Sequence, residues 1–132
     1  MYTLTTQEFY ELIYKKVLKK LEEALTRDIE KDDIYLDGTI QRFEFVYELS
    51  WKLMKNYLEF NGVEVNSPRE AFRESFKVGI IADAGQWIKM LENRNRTSHT
   101  YDESTAREIY DSIKKEYINL FNEFSSKISK KI

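Results

Sequence analysis

GTIQRFEFVYELSWKLMKNYLEFNG, residues 38–62, decides the fold. Its polar positions Gln41, Glu44, Glu48, Lys52, Lys55 and Glu59 recur every three or four residues and form one narrow wet stripe. Most of the remainder is apolar: Ile40, Phe43, Phe45, Val46, Tyr47, Leu49, Trp51, Leu53, Met54, Tyr57 and Leu58. The period predicts a helix from about Gly38 to Asn61, with Gly62 as its stop. A helix apolar around most of its girth is either central in a bundle or shared with a partner. In a chain of 132 residues some of that surface is expected to face a second copy, so a homodimer is predicted.

Working outward, the flanking stretches are helical too. The first helix opens at Thr5 with Glu8 three residues on, the pattern of a capping box. Its apolar stripe reads Phe9, Ile13, Val17, Leu21, Ala24, widened by Tyr10, Tyr14, Leu18 and Leu25, and the charged run TRDIEKDD at 26–33 ends it. SPRE at 67–70 starts a short third helix: Ser67 as cap, Pro68 at the first helical position, Glu70 closing the box, with an end at Gly79. A fourth helix starts near Asp83 and carries Ala84, Trp87, Ile88 and Leu91 on one face. A fifth starts near Asp102 with the stripe Ala106, Ile109/Tyr110, Ile113, Tyr117, Leu120/Phe121, Phe124. The expected fold class is all-α: an up-and-down antiparallel bundle of four main helices plus one short one, filling residues 1–132 as one domain.

Composition narrows the function. Hydrophobic residues are 42% of the chain, enough for a packed core. A net charge of −2 argues against a general nucleic-acid coat but leaves room for a local phosphate site. There is no cysteine and one histidine, so thiolate chemistry is excluded within the chain and neither a metal nor another cofactor is expected. No run of about 18 apolar residues occurs, and MYTLTTQEFYEL lacks the order of a signal peptide, so a cytoplasmic protein without membrane contact is expected.

The chemistry concentrates in RNRTSHTY, residues 94–101. Arg94 lies seven residues after Trp87 and three after Leu91, so it shares the apolar face of the fourth helix, whereas Arg96 is turned about 200° away and reads as a solvated charge. An inward-leaning arginine must be paired or must line a cleft. His99 follows in the turn, where fraying at Thr97–Ser98 would let the imidazole fold back towards Arg94.

Two readings are open. In the structural one, Arg94 pairs with Glu44 or Glu48, His99 caps the last carbonyls of the fourth helix, and Tyr101 packs at the bundle end. In the chemical one, Arg94 holds a phosphate and stabilises charge on a phosphorane, while His99 moves protons at the ribose 2′-hydroxyl or the leaving 5′-oxygen. One histidine cannot be base and acid together, and a two-fold dimer supplies two.

R-x4-H-x-Y, together with DGTIQRFEFVYELSWKLMKNYLE at 37–59, SPREAFRESFKVGII at 67–81 and MLENRNRTSHTYDESTAREIY at 90–110, resembles the HEPN domains of the HepT type, long called nucleotidyltransferase substrate-binding proteins. The resemblance implies a helical bundle that dimerises with the motif near a cleft, and a minimal nucleotidyltransferase (MNT) as partner. It implies a metal-independent RNase, with RNA as substrate, whose arginine and histidine match Arg94 and His99. Asn95 matches the polar residue after the arginine, and Tyr101 matches a tyrosine to which the partner transfers AMP to silence the toxin. The alternative it carries is a non-catalytic substrate-binding subunit of a two-part nucleotidyltransferase.

Other residues read as structural. Trp51 and Trp87 are expected in core or interface rather than as base-stacking platforms. Glu44 and Glu48 belong to the wet stripe, with Lys52 as a partner for Glu48. Arg69, Arg73 and Lys77 on the third helix are expected to pair with Glu70 and Glu74.

Overall fold

A computed structural model describes residues 5–132; Met1 to Leu4, the start of the stretch read as lacking a signal peptide, lie outside the described residues. The described residues form helices and connecting turns with no strand. Helix α1 is Thr6–Ala24, α2 Asp33–Phe60, α3 Pro68–Lys77 and α4 Ala84–Asn95. A 3-10 turn, Arg96–His99, leads towards α5 (Glu103–Ser112), which runs through one π turn, Ile113–Tyr117, into α6 (Ile118–Ser129). Taking α5, the π turn and α6 as one rod, this is the expected bundle of four long helices and one short one. None of its helices is long and apolar enough to cross a membrane.

The caps follow the sequence closely. The Thr5 hydroxyl accepts from the Glu8 amide at 3.0 Å and that of Ser67 from the Glu70 amide at 3.2 Å, each satisfying an orphan donor. At Gly62 (φ 84°) and Gly79 (φ 82°) the chain enters the left-handed region that closes α2 and α3. The Val63 and Ile80 amides then reach back to the carbonyls of Leu58 and Ser75.

Two boundaries and one buried face differ from the expectation. Helix α2 begins at Asp33, five residues before Gly38, because the Asp32 carboxylate accepts from the Ile34 amide at 2.9 Å and caps it there. The stripe of α1 is rotated: Tyr14, Leu18, Leu21 and Ala24 are buried while Phe9 is half exposed. Helix α4 does not fray at Thr97–Ser98 but tightens into the 3-10 turn. There the hydroxyls of Thr97, Ser98 and Thr100 donate to the carbonyls three residues back, which favours the narrower turn.

Helix α2 is the central element, packing against α1, α3 and α5. It buries Leu36, Ile40, Phe43, Val46, Tyr47, Leu53, Met54 and Leu58. That absorbs most of the apolar girth, but Ile34 stays 71% and Phe45 52% exposed. Trp87 is fully in the core, its ring against Phe72, Phe121 and Phe124, and Phe43 stacks on Tyr117 at 5.7 Å. A hydroxyl chain crosses this core: Ser50 donates to Tyr14, which donates to the Phe121 carbonyl.

Candidate functional site

The Arg94 to Tyr101 segment sits at the end of α4, its turn packed on α5 and Arg94 reaching the carboxylates of α2. Helix α4 is fixed by Trp87 and Met90 in the core, and one turn on from Met90 Arg94 emerges against α2. Its Nη2 lies 3.6 Å from Glu48 Oε1 and 3.9 Å from Glu44 Oε2. Its Nη1 donates to Thr97 Oγ1 at 3.3 Å, and the same hydroxyl donates to the Arg94 carbonyl at 2.7 Å. The Arg94 side chain remains 29% exposed, and its buried Nε has no hydrogen-bond partner among the described residues. The guanidinium is thus steered by two carboxylates at loose distances, with donor capacity left over.

Glu48 is itself oriented. Its other oxygen, Oε2, accepts from Trp51 Nε1 at 3.1 Å. Trp51 is half-buried, as an interface or core residue would be, and works as a donor to the carboxylate that faces Arg94. The expected pairing of Glu48 with Lys52 does not form; the arginine of α4 takes the carboxylate instead. Beneath them the Tyr47 hydroxyl is buried without a partner. Burial pushes its ionisation well above the usual tyrosine range and Glu48 adds to this, while Arg94 and Arg69 oppose it.

His99 and Tyr101 stand outside this ion cluster. His99 is exposed on the last residue of the 3-10 turn, and its ring meets the Tyr101 ring edge-on with centroids 6.1 Å apart. Tyr101 is 86% exposed, so it does not pack at the bundle end. Asn95 is exposed too, its carbonyl taking the Ser98 hydroxyl. The structure therefore brings His99 to Tyr101 and Arg94 to Glu44, Glu48 and Thr97, and the imidazole makes no hydrogen bond or ion pair with Arg94 among the described residues.

Arg96 is not a free charge as expected: it donates to Glu108 of α5 at 2.6 Å and to Asn93 Oδ1 at 3.1 Å. Asn93 in turn donates to the Tyr117 hydroxyl at the π turn. These contacts brace the 3-10 turn from the α5–α6 side. Spacing of one helix alone carried no sign of them, because Glu108 and Tyr117 belong to another element. On α3, Lys77 pairs with Glu74 as expected, but Glu70 accepts from the Asn66 amide, and Arg69 and Arg73 form no ion pair among the described residues.

Comparison with known proteins places this geometry in context. A family profile described as "Nucleotidyltransferase substrate binding protein like" matches residues 8–130. A Haemophilus influenzae protein named "Probable ribonuclease HepT" is 38% identical over 86 residues, 61% of this chain and 59% of that one, so the match spans about three-fifths of the curated relative. Among solved structures, a Haemophilus influenzae protein described as having the fold of a substrate-binding domain of a nucleotidyltransferase superposes with a TM-score of 0.81 at 26% identity. That match covers 90% of this chain and 98% of the other. A Thermus thermophilus protein superposes with a TM-score of 0.75 at 33% identity, over 84% of this chain and 94% of the other.

Proposed function

Because the chain belongs to the family of nucleotidyltransferase substrate-binding-like proteins, we propose that it is the HEPN partner of a minimal nucleotidyltransferase and acts as a metal-independent RNase through Arg94 and His99. The observation that carries this is the arrangement of the motif. Arg94 is held by Glu44 and Glu48 with its Nε unpaired, and His99 stands exposed on the adjoining turn.

The chemistry follows from the groups. One imidazole takes the proton of a ribose 2′-hydroxyl as that oxygen attacks the neighbouring phosphorus. The P–O5′ bond breaks, and a second, protonated imidazole returns a proton to the leaving oxygen. The products are a 2′,3′-cyclic phosphate and a 5′-hydroxyl. Arg94 stabilises the charge that grows on the phosphoryl oxygens. The two imidazoles come from two copies of His99 in a homodimer, for which exposed Ile34 and Phe45 on α2 supply apolar surface. Tyr101, with its hydroxyl in solvent, is the acceptor of AMP from the partner, and Asn95 beside Arg94 contributes to the same surface. The setting is the cytoplasm.

One observation favours the second reading, a non-catalytic substrate-binding subunit: Arg94 faces two carboxylates, which leaves its immediate surroundings net negative. Cleavage of a labelled RNA in the presence of chelator separates the two. The RNase reading requires cleavage by wild type and loss in Arg94→Ala and His99→Ala, with sizing and circular dichroism unchanged. An unmodified wild-type chain, verified by intact mass, that leaves RNA whole would transfer the conclusion to the substrate-binding subunit.

A further inference from the structure

On the α1 side of α2 lies a pocket of about 440 Å³ that the motif chemistry does not use. Its lining includes Glu23 and Arg27 from the end of α1 and Tyr35, Gly38 and Arg42 from the first turns of α2. Two guanidiniums therefore share one cavity. Neither forms an ion pair among the described residues, and Glu23 does not come within ion-pair distance of them. Arg42 is tied by one donor only, Nη1 to the Lys20 carbonyl at 2.7 Å, which fixes the group and leaves the rest of its fork open. Two guanidiniums in one cavity, with no carboxylate at ion-pair distance among the described residues, keep donors free, and such a site suits an anion.

The rest of the cavity suits a nucleotide. Tyr35 is 37% exposed and lines the pocket, an aromatic side chain of the kind on which a base stacks. Gly38 leaves the floor bare: a Cβ there would meet nothing within 4 Å, so a flat ligand can approach the backbone of α2. Ile34 and Gly38 also line a neighbouring pocket that contains Glu44 and Thr100, so the cavity adjoins the turn that carries His99. The acidic residues of that neighbour, Asp37 and Glu44, are not part of the arginine pocket's lining.

We propose that Arg27 and Arg42 bind the phosphate of a nucleotide, with its base against Tyr35 over the bare floor at Gly38. The site is separate from the Arg94–His99 motif and does not depend on whether that motif cleaves RNA. The phosphate belongs either to a free nucleotide or to a single-stranded RNA chain.

Calorimetric titration of the full chain with adenosine 5′-monophosphate, inorganic phosphate and a 2′-O-methyl single-stranded octanucleotide tests this. Arg27→Gln and Arg42→Gln are each expected to weaken the binding about tenfold, the size of one lost charge-assisted contact. Tyr35→Ala is expected to weaken the nucleotide but not inorganic phosphate, and Arg73→Gln on α3 to change nothing. Binding of the monophosphate identifies a free nucleotide as the ligand. Binding of the octanucleotide alone identifies RNA, and its log–log salt slope should then fall by about 0.7 for each arginine that met a phosphate. Should Arg42→Gln unfold for want of its Lys20 contact, Arg27→Gln decides, since that side chain holds no structural contact among those described. A wild type that binds none of the three probes, or an Arg27→Gln variant that binds them equally well, overturns the proposal. RNA cleavage measured alongside keeps the two conclusions apart: cleavage with an indifferent Arg27 sinks only the pocket, and pocket binding without cleavage sinks only the RNase reading.

Discussion

Arg94 shows how one side chain can join two helices and still keep hydrogen-bond donors free. Its fork reaches Glu48 and Glu44 with one nitrogen and Thr97 with another, a task for which a lysine point charge is no substitute. Arg94→Lys should therefore keep the fold yet lower RNA cleavage by roughly 10²-fold, the usual cost of one transition-state donor. Single-turnover kinetics on a labelled RNA would show it, and a variant within a few-fold of wild type would remove Arg94 from the chemistry. Its effect on stability should be small, since the three charged side chains are about a third exposed. Gly38 presents the opposite case. It sits inside α2 with space where a side chain would go, so it weakens the helix without relieving any clash. Gly38→Ala should raise stability by about 0.5–1 kcal/mol in urea denaturation. The same variant should bind nucleotide less well if the bare floor is what the pocket needs.

The end of α4 is held from two sides, and only one of them was legible in the sequence. Arg94 on the apolar face of its helix, and Glu44 and Glu48 on one stripe of theirs, follow from three- and four-residue spacing along single helices, and an inward-leaning arginine calls for such carboxylates as partners. Ser67, Pro68, Gly62 and Gly79 announced their helix ends in the same local way. Asp32 was lost in a charged run, where one capping carboxylate looks like any other. The Asn93–Tyr117 and Arg96–Glu108 contacts join different elements, so no period reveals them. The π turn hid for a related reason. Ile113, Tyr117 and Phe121 are spaced by four, and each such step drifts about 40° on an ideal α-helix. One widened turn offsets that drift and keeps all three buried. Asn93→Ala should cost about 1–2 kcal/mol, because the hydroxyl of the buried Tyr117 loses its donor. It should also speed amide exchange over residues 97–100, because Arg96 loses one of its two anchors. Unchanged exchange there would mean that the Arg96–Glu108 pair alone holds the turn.

The aromatic core and the polar site meet through tyrosines, and this sets how the protein answers to alkali. Nine tyrosines are present in the chain. Tyr14, Tyr47 and Tyr117 are buried, and burial raises the ionisation of all three, against a hydrogen bond from Ser50 at Tyr14 and from Asn93 at Tyr117. The sign of the linkage is fixed by that direction. Below about pH 10, the ordinary tyrosine value, folded and unfolded chains both keep these phenols neutral and the contribution to stability is complete. Above it the unfolded chain releases the protons while the folded chain holds them, so stability falls as pH rises. Tm measured between pH 8 and 11.5 should stay level and then decline from about pH 10. In the folded protein, absorbance at 295 nm should lack the tyrosinate contribution of Tyr14, Tyr47 and Tyr117 until unfolding. Titration of all nine tyrosines as one set, with the helices still intact, would instead mean that the Tyr14–Ser50 and Tyr117–Asn93 contacts open to solvent in the native state.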